Sequence, residues 1–218
     1  MLPRSITVLL LVLVAQAQTY PPAFPRDGAK KLFENERVAV WDVVWPKGQP
    51  SPLHEHRYDQ ISVTLVGAMV RVTKLDGSSS VNQSEPGSVT FTAKGTIHRE
   101  EGLTDPPQHK IMVEMKGAAP AVAPKKEGIP GAFPREGAVK LMENDRVIAW
   151  DYTWKTGRVV PPHANDRDMV SVFLEGGAVS IRGAAGTPGQ AIYTPASADL
   201  FSEEVVRGTP HAVILELK

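Results

Sequence analysis

Four side chains able to donate lone pairs stand at set intervals in the first half of the sequence. From Gly48 the chain runs five residues to His54, one to His56, three to Gln60 and six to Gly67. From Gly87 it runs five residues to Ala93, one to Gly95, two to His98 and three to Gly102. Residues two apart on a strand face the same way, so His54 and His56 project together. A turn of three residues then returns Gln60 on the next strand, with Ser62 and Thr64 on its face. His98 arrives from a separate hairpin. Imidazole nitrogens and an amide oxygen suit a divalent transition metal, and imidazole accepts Fe, Ni, Cu and Zn alike. The chain contains no cysteine, so no thiolate serves as ligand or nucleophile. An HxH pair alone is common on surface strands. Donors from two distant segments are a stronger signal.

The elements that must carry these residues read as strands. Gln60–Leu65, Val70–Thr73, Val89–Thr92 and Lys110–Met115 alternate with period two, are rich in β-branched residues, and are separated by Gly, Pro, Asp and Ser. No stretch keeps a period of 3.6. Short strands without helical crossovers predict an all-β sandwich or barrel.

The sequence is also written twice. Residues 24–67 match residues 133–176 at an offset of 109, with 22 of 44 positions identical. Later the offset is 102, pairing Phe91 with Tyr193 and His109 with His211. The seven residues missing from the second copy fall near Asp76–Gly87, which reads as a polar strand-to-strand loop. Gly117–Gly128, rich in Pro and Ala, reads as a linker. A repeat of about 100 residues is the size of a small domain. The second copy retains His163 for His54, but has Asn165 for His56, Met169 for Gln60 and Leu200 for His98. Its inward set is Met169, Ser171 and Phe173, more apolar than Gln60, Ser62 and Thr64, as a filled interior requires. His109 and His211, present in both copies, read as structural. So do Asp59 and Asp168, and the packing residues Trp41, Trp45, Trp150 and Trp154.

The two spacings resemble the motifs of the cupin superfamily, G(X)5HXH(X)3,4E(X)6G and G(X)5PXG(X)2H(X)3N. Every interval is met, and three residues depart: Gln60 for Glu, Ala93 for Pro and Gly102 for Asn. Over both copies the chain resembles a bicupin, as do oxalate decarboxylases and quercetin dioxygenases. The resemblance implies an all-β chain of two tandem jelly-roll β-barrels. The N-terminal barrel would span residues 18–116, the linker 117–129, and a degenerate C-terminal barrel 130–218. It also implies one mononuclear metal site at His54, His56, Gln60 and His98, with iron the first choice and Mn, Ni, Zn or Cu as alternatives. Where the family's Glu doubles as a general base, Gln60 has no proton to exchange. The ion would then keep its full +2 charge, which favours a small organic anion such as an enolate, carboxylate or diketonate. Glu100, Glu101 and His109 are the candidates for a separate base, although both glutamates read as solvated loop residues.

Residues 1–17 pair an early Arg4 with an apolar run, Ile6–Val14, and end in Ala15-Gln16-Ala17. This is the pattern of a secretory signal peptide, too short to span a bilayer, so a chain starting near Gln18 and a periplasmic or extracellular location are expected. Removing Arg4 from 24 basic residues leaves 23 against 24 acidic ones. That balance, without a basic cluster, argues against nucleic-acid and membrane-surface partners and leaves self-association open. The leading expectation is an oxygenase-type enzyme acting on a small anion. The alternatives are a non-catalytic periplasmic metal or small-ligand binding protein, and an oxygen-independent lyase or isomerase.

Overall fold

Alternating apolar and polar residues build strands and nothing else in the computed structural model, which describes residues 18–117 and 127–218. Among the described residues there is no helix, hence none long and apolar enough to cross a membrane. The expected signal segment, residues 1–17, and most of the expected linker lie outside them. The first copy forms β1 (Ala29–Glu34), β2 (Val38–Trp45), β3 (His54–Glu55), β4 (Asp59–Val66), β5 (Ala68–Lys74), β6 (Ser79–Ser84), β7 (Val89–Thr92), β8 (Ile97–Gly102) and β9 (Gln108–Met115). The second forms β10 (Val139–Glu143), β11 (Val147–Thr153), β12 (His163–Asn165), β13 (Met169–Ile181), β14 (Ala184–Gly186), β15 (Ala191–Thr194), β16 (Ser197–Phe201) and β17 (Glu203–Leu217).

In the first copy a five-stranded sheet, β1-β2-β9-β4-β7, faces a four-stranded one, β3-β8-β5-β6. In the second, β10-β11-β17-β13-β14 with β15 forms the larger sheet, and β12-β16 the smaller. This all-β, two-sheet pairing fits a jelly roll. Strand β2 shows how period two sorts side chains. Ala39, Trp41, Val43 and Trp45 turn inward against Val70 and Val72 of the facing sheet. Val38 and Val40 turn outward into a cluster with Ile61, Ile111 and Val113 that also holds Val147, Val170, Val172 and Leu215 of the second copy. Each such fully buried side chain contributes roughly 1.5–3 kcal/mol, so the shared face binds the two copies together.

Equivalent residues exchange partners at its margin. Arg37 meets Asp168 at 2.8 Å, and Arg146 meets Asp59 at 3.0 Å. The structural reading of the two aspartates follows from these pairs. One expectation needs correction. Within the presumed loop Asp76–Gly87, residues Ser79–Ser84 are strand β6, paired along β5 at the sheet edge. Both its faces are largely exposed, so no apolar alternation marks it.

Candidate metal centre

The turn entering β8 sets the position of His98. The amide of Thr96 donates to the carbonyl of Ala93, and Gly95 between them has φ +82°, as the third residue of a type II turn requires. Proline at position 93 is dispensable for this turn. The amide of His56 donates to the Thr96 carbonyl at 3.0 Å and its carbonyl accepts from Gly95 at 2.7 Å, so the His56 backbone is locked to the same turn. His54 and His98 stand directly opposite each other across β3 and β8. At the far end of β8, a Cβ on Gly102 would lie 2.3 Å from the Trp45 carbonyl oxygen. That close approach accounts for glycine where the family motif has asparagine.

These strands gather three imidazoles. His54, His56 and His98 are buried, and one nitrogen of each lies within 4.8 Å of the others. The Nδ1 of His54 donates to the Pro52 carbonyl at 2.9 Å, leaving its Nε2 lone pair available. His56 Nε2 and His98 Nε2 are 2.9 Å apart. That separation is below twice the usual metal–nitrogen distance of about 2.0–2.1 Å, so one ion would be within reach of both. Burial lowers all three pKa values, to about 4 for His54 and about 3 for His56. The imidazoles are therefore neutral at physiological pH, as ligation requires. Gln60 lies on β4, buried, and its side-chain oxygen has no hydrogen-bond partner among the described residues. An orphaned buried carbonyl oxygen costs about 1–3 kcal/mol and is a donor in waiting. The donor set fits a divalent transition ion.

Glu100 is not the solvated loop residue expected. It lies on β8 with its side chain 13% exposed, one carboxylate oxygen being 4.0 Å from His98 Nε2. Its other oxygen accepts from Arg26 Nη2 at 2.9 Å and Trp45 Nε1 at 3.0 Å. Burial alone would raise its pKa, but Arg26, the nearby His98 and His54, and the indole hold it down to about 2. Glu101 points outward and pairs with Arg71 at 2.6 Å. His109 meets Asp42 at 2.6 Å, and His211 meets Asp151 at 2.8 Å, a repeated structural pair as expected.

The second copy reproduces the scaffold without the donors. Arg135 and Trp154 bind Glu203 as Arg26 and Trp45 bind Glu100, and His163 Nδ1 donates to Pro161 as His54 does to Pro52. The strand register places Phe201, not Leu200, opposite His163. A one-residue shift in β16 leaves Leu200 52% exposed and sets the Phe201 ring edge-on to His163, with centroids 4.3 Å apart. The same shift hid the match of Glu100 with Glu203 from a comparison at constant offset.

Two cavities flank the histidines. One, of about 510 Å³, is lined by a run of prolines with Arg26, Trp45 and His54. The other, of about 380 Å³, lies between the two sheets and is lined by His98, Glu100 and a residue the sequence did not single out, Lys110.

No protein-family model and no curated protein matches the sequence. Solved structures do match. AerE from Microcystis aeruginosa superposes with TM-score 0.62 at 12% identity, covering 92% of this chain and 99% of that one. A cupin 2 conserved barrel domain protein from Leptotrichia buccalis gives 0.56 at 11% identity, covering 87% and 88%. Oxalate decarboxylase of Bacillus subtilis, a protein with Mn(II) centres, gives 0.58 at 13% identity, covering 84% of this chain and 69% of that one. At these identities the likeness is one of fold, and the fold is that of cupin-domain proteins.

Proposed function

We propose that the chain is an exported metal-dependent bicupin, made of two tandem jelly-roll barrels. In this reading the first barrel is an oxygenase-type centre for a small organic anion, and the second is a support without a metal. The observation that carries the reading is the convergence of three buried, neutral imidazoles from two strands, beside an unpartnered Gln60 oxygen. His54, His56 and His98 would hold the ion, with Gln60 as a fourth, neutral donor. The ion, when bound, supplies Lewis-acid and redox chemistry. The chain's own residues do the rest. Pro52 fixes the His54 ring, and Arg26 with Trp45 keeps the Glu100 carboxylate ionised beside His98. The proline-lined cavity offers a route to His54. Iron is the first choice of metal. The Mn(II) of the oxalate decarboxylase with this fold makes manganese the second.

Oxygen uptake by the iron-loaded protein, measured over a panel of diketones, flavonols and small thiols, tests the assignment. Substrate-dependent uptake that disappears on chelation is expected. A loaded protein that consumes no oxygen with any of them refutes the oxygenase. An oxygen-independent lyase is the second reading, suggested by the fold shared with a decarboxylase. Substrate loss under argon would establish it, and metal binding without turnover would leave a binding protein. For export, N-terminal sequencing of the mature protein should begin at or near Gln18. Finding Met1 on the mature chain would refute it.

A further inference from the structure

Lys110 sits at the middle of β9, between Val43 of β2 and Thr64 of β4. Period two sends Ile111 and Val113 outward to the core shared by the copies, and sends Lys110 and Met112 inward. The lysine is only 8% exposed. Among the described residues its ammonium makes no hydrogen bond or ion pair, and it lines the 380 Å³ cavity together with His98 and Glu100. Burial lowers its pKa, opposed by the charge of Glu100. Glu100 shares its charge between this lysine and Arg26, which it meets at 2.9 Å, so the two cations outnumber the one carboxylate. A largely buried ammonium is costly, and an anion in the cavity would offset that cost.

The repeat acts as an internal control. Arg26, Trp45, His54 and Glu100 all have working counterparts in Arg135, Trp154, His163 and Glu203. Those residues, present in both copies, do not by themselves set the first copy apart. What the second copy lacks is His56, Gln60, His98 and, at the equivalent point of β17, the lysine: Ala212 stands there, fully buried in an apolar cluster with Trp154 and Phe173. The buried cation is thus present where the three-histidine site is present and absent where it is absent.

We propose that Lys110 is the anion-binding residue of this cavity, holding a carboxylate or enolate oxygen of a small organic acid whose other end lies toward His98. This rests on the metal-centre reading for its second anchor but not for its first. The other cavity groups are neutral, Gln108, Ser84, Asn82 and Thr90 among them. Trp45, Val70, Val72, Phe91 and Met112 line the same cavity, so it suits a small acid with both polar and apolar parts.

Calorimetric titration of malonate, with malonamide as its neutral counterpart, into wild-type, Lys110→Met and Lys110→Arg proteins tests the proposal. Malonate should bind the wild type, bind Lys110→Met about 10- to 100-fold more weakly, as expected for loss of a charged hydrogen bond, and be largely retained by Lys110→Arg. Malonamide should not distinguish the three. Metal content should be equal in all, and Lys110→Met without ligand should melt roughly 2–6 °C higher than the wild type, since a largely buried charge is gone. Equal malonate affinity in wild type and Lys110→Met, including none in either, overturns the proposal. A wild type that takes up no divalent ion refutes the metal centre alone. The lysine is then judged by the same titration of metal-free protein, with the same two outcomes. If Lys110→Met does not fold, labelling of Lys110 by an amine reagent, followed by peptide mass spectrometry, decides. Malonate should slow it several-fold, and unchanged labelling overturns the assignment.

Discussion

Gln60 differs from the glutamate of the motif it resembles by one atom and one charge, and that difference should be measurable in metal affinity. His56→Ala and His98→Ala each remove a buried imidazole from the set of three and should lower affinity by at least 100-fold, since one ligand's share of about 10–16 kcal/mol is lost. Gln60→Ala should lower it less, by about 10-fold, as expected for a weak or outer ligand. Gln60→Glu should tighten it by adding a charged oxygen. Isothermal titration with Fe(II) or Mn(II) reads all four, and unchanged affinity in His56→Ala and His98→Ala would refute the site. The metal-free protein should also be acid-sensitive. The folded pKa values of His54 and His56, about 4 and about 3, lie below the ordinary 6.5. The unfolded chain therefore takes up protons first as pH falls. Their contribution to stability is complete above pH 6.5 and is lost between there and pH 3–4. Melting temperature should fall across that window, and less steeply in a His54→Ala, His56→Ala double variant.

Among the elements, β4 and β13 carry the contacts that tie the copies together at the margin, and the two contacts are unequal. Asp168, just before β13, is 5% exposed; it accepts from Arg37 and from the amide of Ala196. Asp59, at the start of β4, accepts likewise from the amide of Lys94, but it and its partner Arg146 are each 26% exposed. Removing one partner of a buried pair costs about 3–5 kcal/mol, whereas an exposed pair is worth about 0–1 kcal/mol, and the partly exposed Asp59 pair with its backbone bond falls between. Asp168→Ala should therefore destabilise by about 3 kcal/mol and Asp59→Ala by less, about 1–2 kcal/mol, both read by chemical denaturation. Equal effects would mean that the pairs are not energetically distinct. The strands themselves were readable where one face is buried and the other is not. Edge strand β6 and the shifted β16 were not, because neither has a face whose burial imposes a pattern.

For the whole molecule, the proposal predicts one metal per chain. His163 and Asn165 are buried in the second copy, but Phe201 fills the position of His98 and Met169 that of Gln60. One imidazole and one amide, with the aromatic ring 4.3 Å from that imidazole, cannot replace the water around a divalent ion. Metal analysis after full reconstitution should approach one equivalent. A second equivalent that survives His54→Ala and disappears on His163→Ala would overturn the division of labour between the copies.

The sequence by itself determined the strand-rich class, the duplication and the identity of the three histidines, because each is written in local spacing: period two for strands, a fixed offset for the repeat, an HxH pair and a turn glycine for the ligands. Only the tertiary structure decided which charged residues share the cavity. Glu100 and Lys110 are separated from their neighbours there by strand pairing across two facing sheets. Register across a sheet is set by which face is buried, a property of the packed whole, so a solvated glutamate and a glutamate beside His98 look the same until the sheets meet.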